Sequence, residues 1–442
     1  MIRKLVAITK KAFFKNVIIM VTGTAAAQVI NFILTPIITR IYGPEAFGVM
    51  GIFIAIVSVI GPISALTYPI AIVLPKEERD AKDLVRLSLL LTIFTSLCIF
   101  LILVISSKQL VRLFEINDIS HYLYFIPVVI FFSGLFQIAE QWVIRTKEFI
   151  AIAKASLFQA IIVQGSKVLI GTIYPFATTL ILIQAFSEGI RAILIIFFRK
   201  NRRINTNKTS IIDFTSLKKS ALKHKDFPIY RAPQVLINGI SQNIPVLLLA
   251  SLFGPTSAGF YSLGRMVLNI PTQLIGKSFG DVFYPRINEA ANNGEKITKI
   301  ILKAIVSLSI LGIIPFGIII VLGPSLFSVI FGLEWEVAGE YARWIAIVVF
   351  FILIYQPCIK SFPILSAQRF HLFFTIISLI VSVVAFLLVD FIYSNDLIAI
   401  ALYGVSNAFL NFLLIIITLV MSKRYDRKFA TEERILQNRY FG

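Results

Sequence analysis

With 442 residues, of which 57% are hydrophobic and only 15% charged, and a mean hydropathy of +0.87, the chain has too little polar surface for a water-soluble domain. Its formal net charge of +19 would suit nucleic acid, but most of the cations gather in the tails and every second loop, which reports membrane topology and attraction to anionic lipid instead. Cys98 and Cys358 both fall inside apolar runs and read as small apolar residues, so neither a disulfide framework nor a metal site is expected.

Apolar runs of about 20 residues, each long enough to cross a ~30 Å hydrocarbon core as a helix, recur from end to end. Twelve are read, near 17–38, 46–72, 84–105, 122–143, 153–173, 176–198, 231–253, 258–283, 298–322, 341–364, 370–392 and 396–420. The first, "NVIIMVTGTAAAQVINFILTPIITR", is too long for the apolar core of a signal peptide and continues straight into the second. It carries a neutral polar stripe, Thr24, Gln28, Asn31 and Thr35, at helical spacing. Basic residues gather in both tails and in loops 75–83 (with Arg86), 144–154, 199–225 and 286–299, and at Arg369. The alternate loops hold Arg40, Lys108 and Arg112. By the positive-inside rule, both termini and the 199–229 loop are cytoplasmic.

The chain repeats itself. "RIYGPEAFGVMGIF" (40–53) is echoed by "SLFGPTSAGFYSLG" (251–264), and "RTKEF" (145–149) by "SAQRF" (366–370). Six spans in each half, an even number, make both copies enter from the same side, as in transporters built from parallel repeats. The predicted fold is therefore an all-α integral membrane protein, with twelve transmembrane helices in two parallel six-helix repeats around a central cavity. Residues 1–198 form the N-terminal lobe, 199–229 a basic cytoplasmic linker, 230–420 the C-terminal lobe and 421–442 a cytoplasmic tail.

Charges inside the spans carry the functional signal. A charged side chain at a helix centre costs about 2.5–3.5 kcal/mol on the insertion scale. Lys167, Glu188, Arg191, Arg265, Lys277 and Lys360 together would cost on the order of 15 kcal/mol in lipid. That matches or exceeds the net stability of a typical fold, so they must face one another, the bundle interior or water. On the eighth span Arg265, Asn269, Thr272, Gln273 and Gly276 fall within about 100° of arc, with Lys277 and Asp281 at or beyond its edge. On the seventh span Asn238, Gln242 and Asn243 answer the stripe of the first. Cations outnumber acids, which favours an anionic substrate; the fork of arginine suits phosphate, and amides and hydroxyls suit sugars.

The expected substrate contacts are Arg265, Lys167, Arg191, Lys277, Gln28, Asn31, Asn238, Gln242, Asn269 and Gln273, with Glu188 and Asp281 as candidates for coupling to H⁺ or Na⁺. Plainer roles are open at the same positions. Glu188 and Arg191, three apart, are placed to neutralise each other; Asn31 and Gln242 suit interhelical hydrogen bonds; Arg343 and Lys360 suit snorkelling to an interface. His121, His224 and His371 are scattered without metal-ligand spacing, and no Walker A, GxSxG or HExxH motif occurs. No metal, cofactor or catalytic residue is expected. Pro36, Pro62, Pro69, Pro245, Pro271, Pro315 and Pro357 interrupt spans, where bending is tolerated.

"FPIYRAPQVLINGISQNIPVLLLASLFGPTSAGFYSLGRMVLNIPTQLIGKSFGDVFYPRINEA" (227–290) resembles the seventh and eighth spans of bacterial polysaccharide flippases of the Wzx type. These belong to the multidrug/oligosaccharidyl-lipid/polysaccharide exporter superfamily. The matching residues are Phe227-Pro228, Pro245, Gly254, Gly259-x-Tyr261-Ser262, Arg265, Pro271, Ile275-Gly276 and Val282-Phe283-x-Pro285; residues 40–76 are similar to the family's opening spans. The resemblance implies translocation of an undecaprenyl-diphosphate-linked oligosaccharide to the outer leaflet of the bacterial inner membrane. A polysaccharide polymerase and a chain-length regulator would be the protein partners. Two other readings stay open: a cation-coupled drug antiporter of the same superfamily, and a membrane glycosyltransferase or polymerase. The first would be expected to carry an acid in the first-span stripe, where Thr24, Gln28, Asn31 and Thr35 are all neutral. The second would need a substantial outer loop or an acidic pair; the outward loops are too short, although "FGLEWEVAGE" (331–340), read as an outer turn, holds Glu334, Glu336 and Glu340. The peptidoglycan-precursor flippase carries more spans than the twelve read here.

Overall fold

The computed structural model describes residues 2–114, 117–199 and 214–441. Among them the backbone is helical or in turns, with no strand. Thirteen α-helices follow one another: α1 (Ile2–Ile60), α2 (Glu78–Phe114), α3 (Ile126–Arg145), α4 (Phe149–Gly171), α5 (Ala177–Phe198), α6 (Phe214–Lys223), α7 (Ala232–Phe253), α8 (Pro255–Asn292), α9 (Ile297–Phe331), α10 (Glu336–Ile354), α11 (Gln356–Ser361), α12 (Gln368–Tyr393) and α13 (Asp396–Phe441). The chain divides into two compact units, Met1–Asn243 and Ile244–Gly442.

Ten helices among the described residues are long and apolar enough to cross a membrane, against twelve apolar runs in the sequence. The difference has two causes. The first two runs form one helical stretch, Thr22–Ile63, of 42 residues. At 1.5 Å per residue it is about 63 Å long, roughly twice the hydrocarbon thickness. It is broken at Gly43, whose φ of 68° and ψ of 173° are not helical. The eighth run is α8, whose polar and charged residues lower its hydropathy. The second run also ends early: after Ile60 it continues as short 3₁₀ turns at Gly61–Ile63 and Tyr68–Val73, joined through Leu66 and Thr67 at positive φ.

Apart from the first stretch and α10, these helices leave most of their span surface exposed, as lipid-facing elements should. Phe391 is 90% exposed, Ile105 79% and Val321 66%. In water such side chains would form an aggregation-prone surface; in hydrocarbon they cost nothing.

Within the first unit, α4 packs against α1 and α5, and α3 against α2 and α5. Close approaches use small residues: Gly171 lies under the Tyr42 ring and Gly189 under Phe132. The linker segment 214–223 is the amphipathic α6, which packs on α2. The rest of the basic stretch, 200–213, lies outside the described residues.

Within the second unit, α10 is the central helix, in contact with α8, α9 and α13. Tyr341, Ala342, Ala346 and Leu353 on it are fully enclosed. The segment "FGLEWEVAGE" turns through Gly332 (φ 121°) and anchors itself by the buried Trp335, whose ring packs edge-on against Phe260.

The repeat is visible in local backbone geometry. Gly254 has φ 89° and ψ 174°, close to Gly43, and each is followed by a proline that opens the next helical segment. The second repeat match shifts register. Lys147 (φ 59°), just past α3, and Ser366 (φ 52°), in the turns after α11, both take positive φ, and the next amide donates five residues back, Glu148 to the Val143 carbonyl and Ala367 to Phe362. This geometry sets Lys147 over Ser366, two residues from the register in which "RTKEF" lies over "SAQRF".

Candidate functional site

The first unit carries a polar ladder along the seam where α4 and α5 run antiparallel. Lys167 Nζ donates to Gln184 Oε1 at 3.0 Å, Gln159 Nε2 to Ser187 Oγ at 2.7 Å, and Arg191 Nη2 to Ser156 Oγ at 3.2 Å. One turn from Lys167, Gln164 Nε2 donates to Asn31 Oδ1 on α1 at 3.0 Å. Each rung satisfies a polar group that lipid could not. Lys167 is only 6% exposed and rests 4.0 Å from Met50 Sδ; the Tyr42 hydroxyl donates to its backbone carbonyl at 2.8 Å. It is therefore enclosed among α1, α4 and α5.

At the other end of the ladder, Arg191 does not pair with Glu188, its neighbour on α5. Its guanidinium stands 3.9 Å from Glu140 Oε1 on α3 and 4.4 Å from the centre of the Phe136 ring. Glu188 Oε2 and Arg191 Nε are enclosed without a hydrogen-bond partner among the described atoms. Arg191 thus has Glu140 as its ion-pair partner, and Glu188, on its own helix, keeps an enclosed carboxylate oxygen unpartnered among the described atoms. Glu140 lies inside the fourth apolar run (122–143), but nothing in its spacing marks it out until α3 packs against α5 and brings it to Arg191.

Asn31 meets Gln164, as an interhelical hydrogen bond requires, and Gln28 is exposed. On α7 Gln242 Nε2 donates to Asn238 Oδ1 at 3.3 Å, both side chains exposed, and Asn243 donates to the Gly239 carbonyl at 2.8 Å.

In the second unit Arg265 is partly buried on α8, one turn from Tyr261. The Tyr261 and Tyr403 rings meet edge-on at 6.4 Å, and Tyr403 stacks on Phe386. Asn407, one turn along α13, donates to Ser382 Oγ at 3.0 Å and accepts from Ser378 at 2.6 Å, tying α13 to α12. Asn269 is partly buried on the same helix as Arg265; the side chains of Gln273, Lys277 and Asp281 lie outside the described residues. Lys360 on α11 lies over Gly280 of α8. Arg343 donates to the Val321 carbonyl at 2.9 Å, a structural contact between α10 and α9.

The structure thus gathers Asn31, Lys167, Arg191 and Glu188 into one seam of the first unit. Arg265 and Asn269 share α8 in the second. Sequence reading missed the partners Gln164, Gln184, Gln159, Ser156 and Ser187. Single amides and hydroxyls in apolar helices carry no distinctive spacing until the antiparallel pairing of α4 and α5 aligns them.

Comparison with known proteins follows the same lines. A family model described as "Polysaccharide biosynthesis protein" matches residues 37–340. No curated protein matches the sequence. Among solved structures, a multidrug resistance MATE family transporter of the MOP superfamily is similar with a TM-score of 0.69 at 12% identity, over 94% of this chain and 99% of the other. The lipid II flippase MurJ is similar with a TM-score of 0.64 at 12% identity, over 96% of this chain and 93% of the other. The chain belongs to the polysaccharide biosynthesis protein family and is built on the fold shared by these two carriers.

Proposed function

We propose that the protein is a flippase that carries undecaprenyl-diphosphate-linked oligosaccharide repeat units from the cytoplasmic to the outer leaflet of the bacterial inner membrane. It does so by alternating access, for O-antigen, capsule or exopolysaccharide assembly. Both termini lie in the cytoplasm, a reading supported by the bias of Lys and Arg toward the tails and every second loop. One observation carries the reading: a sequence of the polysaccharide biosynthesis family has the fold of membrane carriers, with Arg265 partly buried on α8.

Each chemical part of such a substrate has a counterpart. Arg265, with Lys277 and Lys360 further along α8 and α11, supplies cations for the diphosphate. Asn238, Gln242, Asn269 and Gln273 supply amides for hydroxyl-rich sugar, and the polyprenyl tail stays in the bilayer. No chemistry is performed on the substrate, and a polymerase with its chain-length regulator acts on the product.

A diphosphate of about two negative charges moving outward gains roughly 4–5 kcal/mol per 100 mV if both charges cross the field. Where protein cations neutralise it on the way, that gain shrinks and a coupling ion supplies the difference. Glu188, with its unpartnered oxygen, and Glu140, beside Arg191, are the groups for that role in the first unit, and Asp281 is the candidate on α8. Neutral substitution at Glu188, Glu140 and Asp281 should abolish or alter the ion dependence of transport; unchanged dependence would remove them from it.

The substrate reading is tested by mass spectrometry of lipid-linked glycans in cells depleted of the protein. Expected is the build-up of one polyprenyl-diphosphate oligosaccharide, cleared by wild type and not by Arg265→Ala. No build-up with surface polysaccharide intact would overturn it and direct attention to drug-antiport assays.

A further inference from the structure

The linker helix α6 has two faces with different partners. Its inner face docks on the first turns of α2 and the neighbouring 3₁₀ turn. Leu217 is 4% exposed, Ser216 donates to Asp83, Lys223 pairs with Asp80 at 3.4 Å, and the Tyr68 hydroxyl donates to the Ala221 carbonyl at 3.1 Å. Just beyond α6, the Thr67 hydroxyl donates to the Phe227 carbonyl at 3.0 Å. These contacts fix the roll of the helix.

At 100° per residue, the positions left over, Thr215, Lys218, Lys219 and Leu222, fall within about 100° of arc. All four are exposed, Leu222 by 61%. The segment that follows continues the pattern: Lys225, Ile229, Tyr230 and Arg231 are exposed, Tyr230 by 71%, with Asp226 the acid among them. Lys218, Lys219, Lys225 and Arg231 make no ion pair with a described residue, unlike Lys82, Arg86 and Lys223 close by.

Large apolar side chains interleaved with unpaired cations fit a plane that is anionic at one level and hydrocarbon just below. α6 packs where α2 begins its span, so this face stands at the height of the bilayer surface. We infer that the outer face of α6 and the 227–231 turn form a docking surface for the anionic phospholipid headgroups of the cytoplasmic leaflet, with Leu222, Ile229 and Tyr230 entering the headgroup–acyl boundary. The inference rests on the cytoplasmic placement of the linker and not on the identity of the transported molecule. Through Thr67 and Tyr68, headgroup binding holds the unwound end of the second span against α2.

The test uses the full chain with Cys98→Ala and Cys358→Ala, carrying a nitroxide at Leu222→Cys or, separately, Tyr230→Cys. It is reconstituted in phosphatidylcholine alone or mixed with phosphatidylglycerol. Collision with oxygen against a water-soluble nickel complex reads the depth of the label. Expected is a shift toward oxygen at both positions in the anionic bilayer, lost at high salt and on replacing Lys218, Lys219, Lys225 and Arg231 by Gln. Equal nickel access in both bilayers would overturn the inference. So would shielding from both reagents, which would show that protein and not lipid covers the face.

Discussion

Gly43 and Gly254 share one backbone conformation, φ 68° and ψ 173° in the first and φ 89° and ψ 174° in the second, and each precedes a proline. That region of dihedral space is essentially closed to residues with a Cβ. The two glycines therefore set the corner between the first two spans of each half by the same device. Space is available at Gly254, where an added methyl would meet nothing within 4 Å, so the cost of Gly254→Ala is that of the backbone alone. It should be about 1–3 kcal/mol, read as a lowered melting temperature of the purified protein in detergent. Gly317→Ala is the control: that glycine is equally uncrowded but lies within α9, where alanine is the better helix former. It should leave the melting temperature unchanged or raise it.

A different constraint acts at Gly339 on α10. A Cβ there would stand 2.6 Å from the Gly323 carbonyl carbon and from Pro324 Cα, both backbone atoms of α9. Backbone cannot rotate away, so Gly339→Ala must push the two helices apart, at a cost of about 1–3 kcal/mol or more. At Gly280 the atom met is Cε of Lys360, which can swing aside. Gly280→Ala should therefore be tolerated, and the difference between the two melting temperatures checks the reasoning.

The tip between α8 and α9 offers a pH test. Arg286 grips Glu295 with two hydrogen bonds, of 3.1 and 2.6 Å, across the turn at Gly294. The hydrogen bond from Arg286, and then its charge, hold the Glu295 carboxyl below the usual carboxylate range. A carboxylate lowered on folding stabilises the protein above its unfolded pKa, about 4.3, and that contribution is lost as pH falls through the lower folded value. Both side chains are open to solvent, so the effect is small and screened by salt. Glu295→Gln should flatten the acid limb of the melting curve slightly and leave neutral pH almost unchanged.

How far the sequence reaches depends on what sets each feature. Spans, the loop charge bias and the glycine-proline corners are local, so hydropathy and spacing expose them. The turn at Lys147 and Ser366 misled because the shared Phe is not what makes it; the left-handed residue is, and nothing in "RTKEF" marks that position. The ladder of Lys167, Gln159 and Arg191 with Gln184, Ser187 and Ser156 arises only when α4 and α5 come together. Lys167, expected to meet substrate, is enclosed by Tyr42 and Gln184, contacts set by packing and not by the polarity of its own helix.

Asp426 shows the same dependence on long-range packing. Its carboxylate accepts the backbone amides of Ile297 and Thr298, at 3.0 and 3.1 Å, and so caps the start of α9 from the far end of α13. Helix starts leave such amides unpaired, and a carboxylate also suits the positive end of the helix dipole. Asp426→Ala should cost about 0.5–2 kcal/mol. Asp426→Asn, which keeps one acceptor oxygen, should cost less, and amide exchange at Ile297 and Thr298 should rise most in the alanine variant.

The sharpest test of the buried charges concerns which acid Arg191 serves. Sequence spacing pairs it with Glu188; geometry pairs it with Glu140 at 3.9 Å, with the guanidinium over Phe136. Arg191→Met removes the cation while leaving both carboxylates in place. Breaking a fully buried pair costs about 3–5 kcal/mol. This pair is about a quarter exposed and not in tight contact, so about 1–2 kcal/mol is expected here. Adding Glu140→Gln to Arg191→Met should recover most of that loss, because the stranded charge is gone. If the pairing followed sequence spacing, Glu188→Gln would be the rescuing change instead. The two double mutants, compared by melting temperature and then by pH dependence of transport, also separate structural pairing from ion coupling. A coupling carboxylate must release and rebind its ion during the cycle. The one held less firmly by Arg191, Glu188, is therefore expected to shift the pH profile more when neutralised, although Glu140 costs more stability.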